Sequence, residues 1–258
     1  MSTSKIAIIY FFLLILSAAG NAHGTTVSMW TNLGRIDVAL YDDIAPKTVA
    51  NFLTYVNDGD YTNAIFHRSI PGFIIQNGGF VINGNAIVPV PVDPPVENEF
   101  SVSNTRGTIA MAKVSGDPDS ATSQWFFNLG DNSANLDNQN GGFTVFGQAL
   151  AQSMDVIDAI AALTVYNASE IHFAFGNLPL LEISGKKYYV IINSITIIGD
   201  MNGDRHVDLA DTILILKILT GLTPSSDISK TAYMTDDKKI GLKEAVYTLQ
   251  VISGIRSK

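Results

Sequence analysis

Apolar and polar residues alternate along Val27-Ser-Met-Trp-Thr-Asn and again along Gly34-Arg-Ile-Asp-Val-Ala-Leu-Tyr, the period of a strand with one buried face. Asn32-Leu33-Gly34 between the runs predicts a hairpin. The period then changes. Val49, Phe52, Leu53 and Val56 fall at i, i+3, i+4 and i+7, which predicts a helix opened by Pro46 and stopped by Gly59. Residues 65–146 carry short β-rich runs broken by Gly, Asn and Pro. The proline-rich residues 87–95 predict a loop or a sheet edge, because proline cannot donate to a ladder. Residues 154–163 predict a second amphipathic helix. Residues 166–187 read as an apolar, aromatic loop packed over the sheet, and residues 188–198 as a closing strand. Strands flanked by two separated helices predict a mainly β unit, an antiparallel barrel with helical plugs.

The two ends have other patterns. Residues 209–222 align without gaps on residues 242–255, an offset of 33, and each copy predicts an apolar helix ending in Gly. Residues 223–229 connect them. At the other end Lys5 precedes an unbroken apolar run, residues 6–16, followed by Ser17-Ala-Ala-Gly-Asn-Ala. This is the pattern of a cleaved export leader over residues 1–22. The run is too short for a bilayer, which takes about 20 residues. No later stretch reads as a membrane span, so a soluble product, secreted or periplasmic, is expected.

Composition narrows the function. Apolar residues make up 47% of the 258, enough to bury a core. The formal net charge is -8, which does not fit a general nucleic-acid binder. The acidic excess lies in residues 23–198, whereas residues 199–258 are balanced, and this predicts two units with those bounds. Cysteine is absent, which removes disulfides, thiol catalysis and Cys-ligated metals.

Asp200-Met-Asn-Gly-Asp-Arg-His-Val-Asp-Leu-Ala-Asp places side-chain oxygens at loop positions 1, 3, 5, 9 and 12 and a backbone carbonyl at position 7, the spacing calcium takes. Asp200, Asn202, Asp204, Asp208 and Asp211 are the candidate ligands, with His206 contributing through its backbone oxygen. Position 6 is Arg205, where Gly is usual. The loop, its following helix and the second copy resemble a dockerin type I domain, a family with Asp at position 12 and two loop–helix repeats. The resemblance implies a small all-α, EF-hand-like tail, a structural calcium ion and a cohesin-like protein partner. The second loop departs from the pattern. Counting back from Glu244 puts Tyr233, Thr235 and Asp237 at positions 1, 3 and 5, so one calcium site is expected.

The most informative stretch is Phe66-His-Arg-Ser-Ile-Pro-Gly-Phe-Ile-Ile-Gln-Asn-Gly-Gly. An Arg and a Gln among strand-type apolar residues need a reason. Residues 68, 74 and 76 share strand parity if the run is extended, which sets Arg68 and Gln76 on one face. With Gly107-Thr-Ile-Ala-Met-Ala, Ser123-Gln-Trp-Phe-Phe-Asn-Leu and Phe143-Thr-Val-Phe-Gly following in order, residues 26–198 resemble the cyclophilins, peptidyl-prolyl cis–trans isomerases, and are most similar to exported bacterial ones.

The resemblance implies an eight-stranded antiparallel barrel capped by two helices, no catalytic cofactor, and proline-containing polypeptides as partners. It implies Arg68 as the catalytic arginine and Gln76 as the binder of substrate backbone. It also implies a proline pocket of Phe73, Ile74, Phe126 and Leu136, with Gln124 lining it and Met111, Ala112 and Lys113 beside the groove. Phe143 stands where many members have His. Members sensitive to cyclosporin resemble one another in a Trp just before the pocket leucine, and here that position is Asn135. His67 reads as a structural histidine.

Overall fold

The computed structural model describes residues 24–222, 228–229, 239–253 and 255. The leader expected over residues 1–22 lies outside the described residues, as do Tyr233, Thr235 and Asp237 of the second loop and most of the connector. The chain divides into two units, Thr25–Thr196 and a second that begins at Ile197.

The larger unit opens with the hairpin of β1 (Thr26–Thr31) and β2 (Gly34–Leu40), in register Thr31↔Gly34. Helix α1 (Pro46–Asp58) has proline in its first turn and ends at Gly59, whose φ of 78° is the left-handed value a side chain would resist. Phe52 on its buried face packs against Tyr61, Trp125 and Phe146 at ring separations of 5.2–6.3 Å. The chain continues through β3 (Ala64–Ile65), β4 (Arg68–Ile70), β5 (Ile74–Asn77), β6 (Phe80–Asn83), β7 (Ala86–Pro89), β8 (Thr108–Met111) and β9 (Trp125–Asn128). A single turn α2 (Ser133–Leu136), β10 (Val145–Ala149) and helix α3 (Met154–Ala161) follow, the last two residues shorter than its pattern.

After three further short strands, β14 (Ile191–Ile197) closes the unit. The sheet is antiparallel and curled, in the order β4-β5-β9-β8-β10-β2-β1-β14-β3-β6-β7. That is eleven paired segments among the described residues, where eight strands were expected. The excess comes from partner changes. β3 pairs with β14 and β6, yet β4, two residues on, pairs with β5. β7 stands at the end of the order, where the prolines of residues 87–95 withhold nothing from a neighbour.

Residues 166–187 are not a plain loop. They carry a 3-10 turn (Phe173–Phe175) and most of a separate antiparallel sheet, β11 (Val165–Tyr166), β12 (Leu178–Ile183) and β13 (Lys186–Tyr189). Ser184 and Gly185 turn between Ile183 and Lys186 with φ of 51° and 75°, the two left-handed residues of a tight hairpin. The closing strand is accordingly split: residues 188–189 belong to β13, and β14 starts after the buried Val190.

In the smaller unit, α4 (Leu209–Leu219) and α5 (Leu242–Ile252) occupy equivalent stretches of the repeat. Asp211 accepts from the Asp208 amide at 2.9 Å and Glu244 from the Gly241 amide at 2.7 Å, the same contact 33 residues apart. Met201, Leu214, Ile215 and Ala245 make the core, and the Thr212 and Thr248 hydroxyls meet at 2.8 Å. No helix among the described residues is long and apolar enough to cross a membrane.

Candidate functional site

Arg68 and Gln76 do share a face, but across a hairpin and not along one strand. Pro71-Gly72 reverses the chain, with Gly72 at φ 74° and the Phe73 amide donating to the Ile70 carbonyl at 3.0 Å. Eight residues of one extended strand would separate Arg68 from Gln76 by about 26 Å. The turn makes them direct partners instead. The register then continues: Arg68↔Gln76, Gln76↔Phe126, Phe126↔Ala110, Ala110↔Val145. One row across β4, β5, β9, β8 and β10 therefore carries a cation, an amide, an aromatic ring and two small apolar residues on one face.

The polar end of the row is wired together. Arg68 Nη1 donates to Gln76 Oε1 at 3.1 Å, and Gln76 Nε2 donates to Gln124 Oε1 at 2.8 Å. Burial lowers the Arg68 pKa, yet arginine stays charged because its ordinary value lies so far above neutrality. Beneath it His67 is buried, and desolvation is the main reason its pKa falls to about 4. It is neutral at physiological pH. Gly79 admits the close approach of both: a Cβ there would stand 3.0 Å from Gln124 Cδ and 3.1 Å from His67 Cε1.

The apolar end gathers most of the expected pocket. Ile74, Phe126 and Leu136 are buried in one cluster with Ala110 and Val145, and half-buried Phe73, Ala112 and Phe143 pack against it. Phe126 and Phe143 meet edge to face at 5.9 Å. Three expected contributors stand apart. Met111 is 0% exposed, because strand parity turns it to the core while Ala110 and Ala112 face the pocket. Lys113 Nζ donates to the Asn140 and Gly142 carbonyls at 2.8 and 2.6 Å and lies 5.0 Å from the Phe143 ring, so it braces the loop before the pocket and leaves the groove to its backbone. Asn135 is exposed and accepts from Gln139.

A buried amide network went unread in the sequence. Asn132 Nδ2 donates to the Phe73 carbonyl at 2.8 Å and to Asn128 Oδ1 at 2.7 Å. Asn128 Nδ2 donates to Asn104 Oδ1 at 3.1 Å, and Asn104 Nδ2 to the Phe143 carbonyl at 3.0 Å. The network fixes the backbone of two pocket walls. The one signal for it was Asn128, set between Phe127 and Leu129 at the end of an apolar strand run, where an amide must find a partner when buried.

In the smaller unit the loop closes on its own acids. Asp200 accepts from the amides of Gly203, Asp204 and Arg205 at 2.8–3.2 Å, and Asp211 from Met201 and Asn202 at 2.7 and 3.1 Å. Arg205 holds φ 78°, the conformation for which Gly is usual at that position. Asn202 Nδ2 donates to Asp204 Oδ2 at 2.7 Å, and Asp208 caps α4 through the Ala210 amide at 2.6 Å. The His206 amide donates to Asp204 Oδ1 at 2.9 Å, and its Nδ1 lies 3.1 Å from the Asp204 carbonyl oxygen. Desolvation raises the pKa of both Asp200 and Asp211. The donor set is all oxygen, which suits a hard cation. As folded, no group of three or more acidic or histidine side chains among the described residues converges on one point.

Residues 26–173 match the family described as cyclophilin type peptidyl-prolyl cis-trans isomerase. A peptidyl-prolyl cis-trans isomerase of Acinetobacter baylyi is 46% identical over 151 residues, 57% of this chain and 77% of that protein. Peptidyl-prolyl cis-trans isomerase B of Escherichia coli is 42% identical over 140 residues, 52% of this chain and 82% of that protein. A crystal structure of a cyclophilin type isomerase from Cryptosporidium parvum superposes with a TM-score of 0.50 at 22% identity, covering 67% of this chain and 97% of the other. That last likeness concerns the fold.

Proposed function

Given that the chain belongs to the cyclophilin-type peptidyl-prolyl cis–trans isomerases, we propose that Arg68 is the catalytic donor and that the apolar cluster beside it holds the substrate proline. Rotation about an X–Pro bond is opposed by amide resonance, a barrier of about 18–20 kcal/mol. No bond breaks, so neither a nucleophile nor an acid–base pair is required. The enzyme must favour the twisted amide over both planar forms. Twisting localises the lone pair on the prolyl nitrogen, and a fixed guanidinium then has an acceptor that the planar amide withholds. Gln76 accepts from that guanidinium and is itself held by Gln124. Phe73, Ile74, Phe126, Leu136 and Phe143, with Ala112, give the ring an apolar seat while the rest of the peptide turns.

The register row that sets Arg68 beside Gln76 and Phe126 carries this reading. A protease-coupled assay on a proline peptide tests it. Accelerated cis–trans relaxation is the expected result. Binding of the peptide without acceleration would make the chain a proline-directed binding module.

The leader pattern of residues 1–22 supports export, so the clients are secreted or periplasmic polypeptides. The loop at 200–211 supports one structural calcium ion held by Asp200, Asn202, Asp204, Asp208, Asp211 and the His206 backbone oxygen. Calorimetry should give a stoichiometry near one, abolished in Asp200→Ala. A stoichiometry of two would show that the Tyr233 loop is competent. The tail also has apolar residues facing outward, Leu209, Ile213, Leu216 and Leu219 on α4 with Val246 and Leu249 on α5. They favour docking of a cohesin-like protein, and a pull-down with and without chelator would report it.

A further inference from the structure

The segment that the sequence presented as a loop builds a second hollow on the arginine side of the site. A cavity of about 360 Å³ lies between Arg68, Gln76 and Gln124 on one wall and Phe80, Phe173 and Ala174 on the other. The outer wall is firmly seated. Phe175 and Leu178 are buried in one cluster with Phe80, and the Ser69 amide of β4 donates to the Asn177 carbonyl at 2.8 Å. His172 Nδ1 accepts the Ala174 amide at 3.1 Å, and its ring meets Phe80 at 4.7 Å and Phe173 at 4.4 Å.

Phe173 itself is 85% exposed at the rim of this anchored turn. A large ring held in water by a turn anchored through the buried Phe175 is apolar surface ready to be covered. We propose that the hollow is a subsite for a large apolar or aromatic side chain flanking the substrate proline, and that Phe173 sets this preference. The inference rests on the isomerase reading above.

The occupant follows from three observations. The hollow shares Arg68, Gln76 and Gln124 with the site, so a peptide bound there passes its mouth. Its volume is at the small end of ligand pockets, roughly 300–1,000 Å³, which suits a side chain or two and not a folded partner. Its outer wall is aromatic and aliphatic, with the neighbouring imidazole of His67 kept neutral by burial. The polar inner wall suits the peptide backbone.

The test compares the full chain with Phe173→Ala and Phe173→Leu on two proline peptides that differ only in a Phe or an Ala flanking the proline. The wild type should prefer the Phe peptide in kcat/KM by about tenfold, the usual size of one apolar contact in specificity. Phe173→Ala should bring that ratio close to one, and Phe173→Leu should restore part of it. An unchanged ratio in Phe173→Ala, or no preference in the wild type, overturns the subsite. No turnover of either peptide by the wild type overturns the isomerase reading, and the subsite with it.

Discussion

Arg68 and Gln76 were legible as single residues because charge and amide groups are out of place in an apolar strand run. Asn135 was legible only through the resemblance, as the residue in the place that Trp takes in cyclosporin-sensitive members. It stands exposed beside the pocket leucine and accepts from Gln139, so it offers little apolar surface to a bulky ligand. Cyclosporin should therefore inhibit this isomerase weakly, and Asn135→Trp should strengthen inhibition roughly thirty- to a thousand-fold, the range of a buried aromatic hot spot. Inhibition constants decide it, and nanomolar inhibition of the unmodified chain would contradict the reading. His67 makes a second prediction. Its folded pKa is about 4 against an ordinary 6.5. Between those values the unfolded chain takes a proton that the folded chain refuses, so stability is complete above about pH 6.5 and falls toward pH 4. The loss is on the order of 3 kcal/mol. Denaturant midpoints should fall over this window and fall less in His67→Gln. Identical slopes for the two proteins would remove His67 as the cause. Phe173 could not be singled out in advance, since an exposed ring and a core ring look alike in sequence.

At the level of elements, pattern found the first hairpin and the two longer helices of the larger unit by their period, and the repeat helices by their alignment with each other. It failed where the chain changes partner. Phe66 and His67 separate β3 from β4 with no break in hydrophobicity, and Pro71-Gly72 folds what reads as one strand into two. Parity put Arg68 and Gln76 on one face, but only the turn brings them within hydrogen-bond reach. Ser184-Gly185 was a readable hairpin signal between Leu180-Leu-Glu-Ile and Lys186-Lys-Tyr-Tyr, hidden by the aromatic residues before it. The Asn104–Asn128–Asn132 network ties the start of α2 to the Phe73 carbonyl before β5 and went unread because Asn104 and Asn132 sit in polar loop stretches that carry no burial signal. Asn132→Leu would leave Asn128 Oδ1 short of a donor, at about 1–3 kcal/mol for a buried group, and would leave the Phe73 carbonyl with the Leu129 amide alone. Chemical denaturation should show that loss. KM for a proline peptide should rise as the Phe73 wall loosens, and a stable variant with unchanged KM would show that the network does not position the pocket.

On the scale of the whole chain, the shift in charge balance near residue 198 and the start of the second unit at Ile197 fall close together. The larger unit joins a guanidinium held by Gln76 to an apolar seat, both set by one strand register. We propose that Arg68 acts on the twisted amide and not on the fold. The most direct test is the isomerisation rate of Arg68→Ala beside its thermal midpoint, with Arg68→Lys as the variant that keeps charge and loses the rigid fork. The rate should drop by roughly a hundredfold or more in Arg68→Ala, the usual cost of losing a donor aimed at transition-state charge, and Arg68→Lys should recover only part of it. The midpoint should stay close to that of the wild type. Near wild-type turnover in Arg68→Ala would contradict the claim.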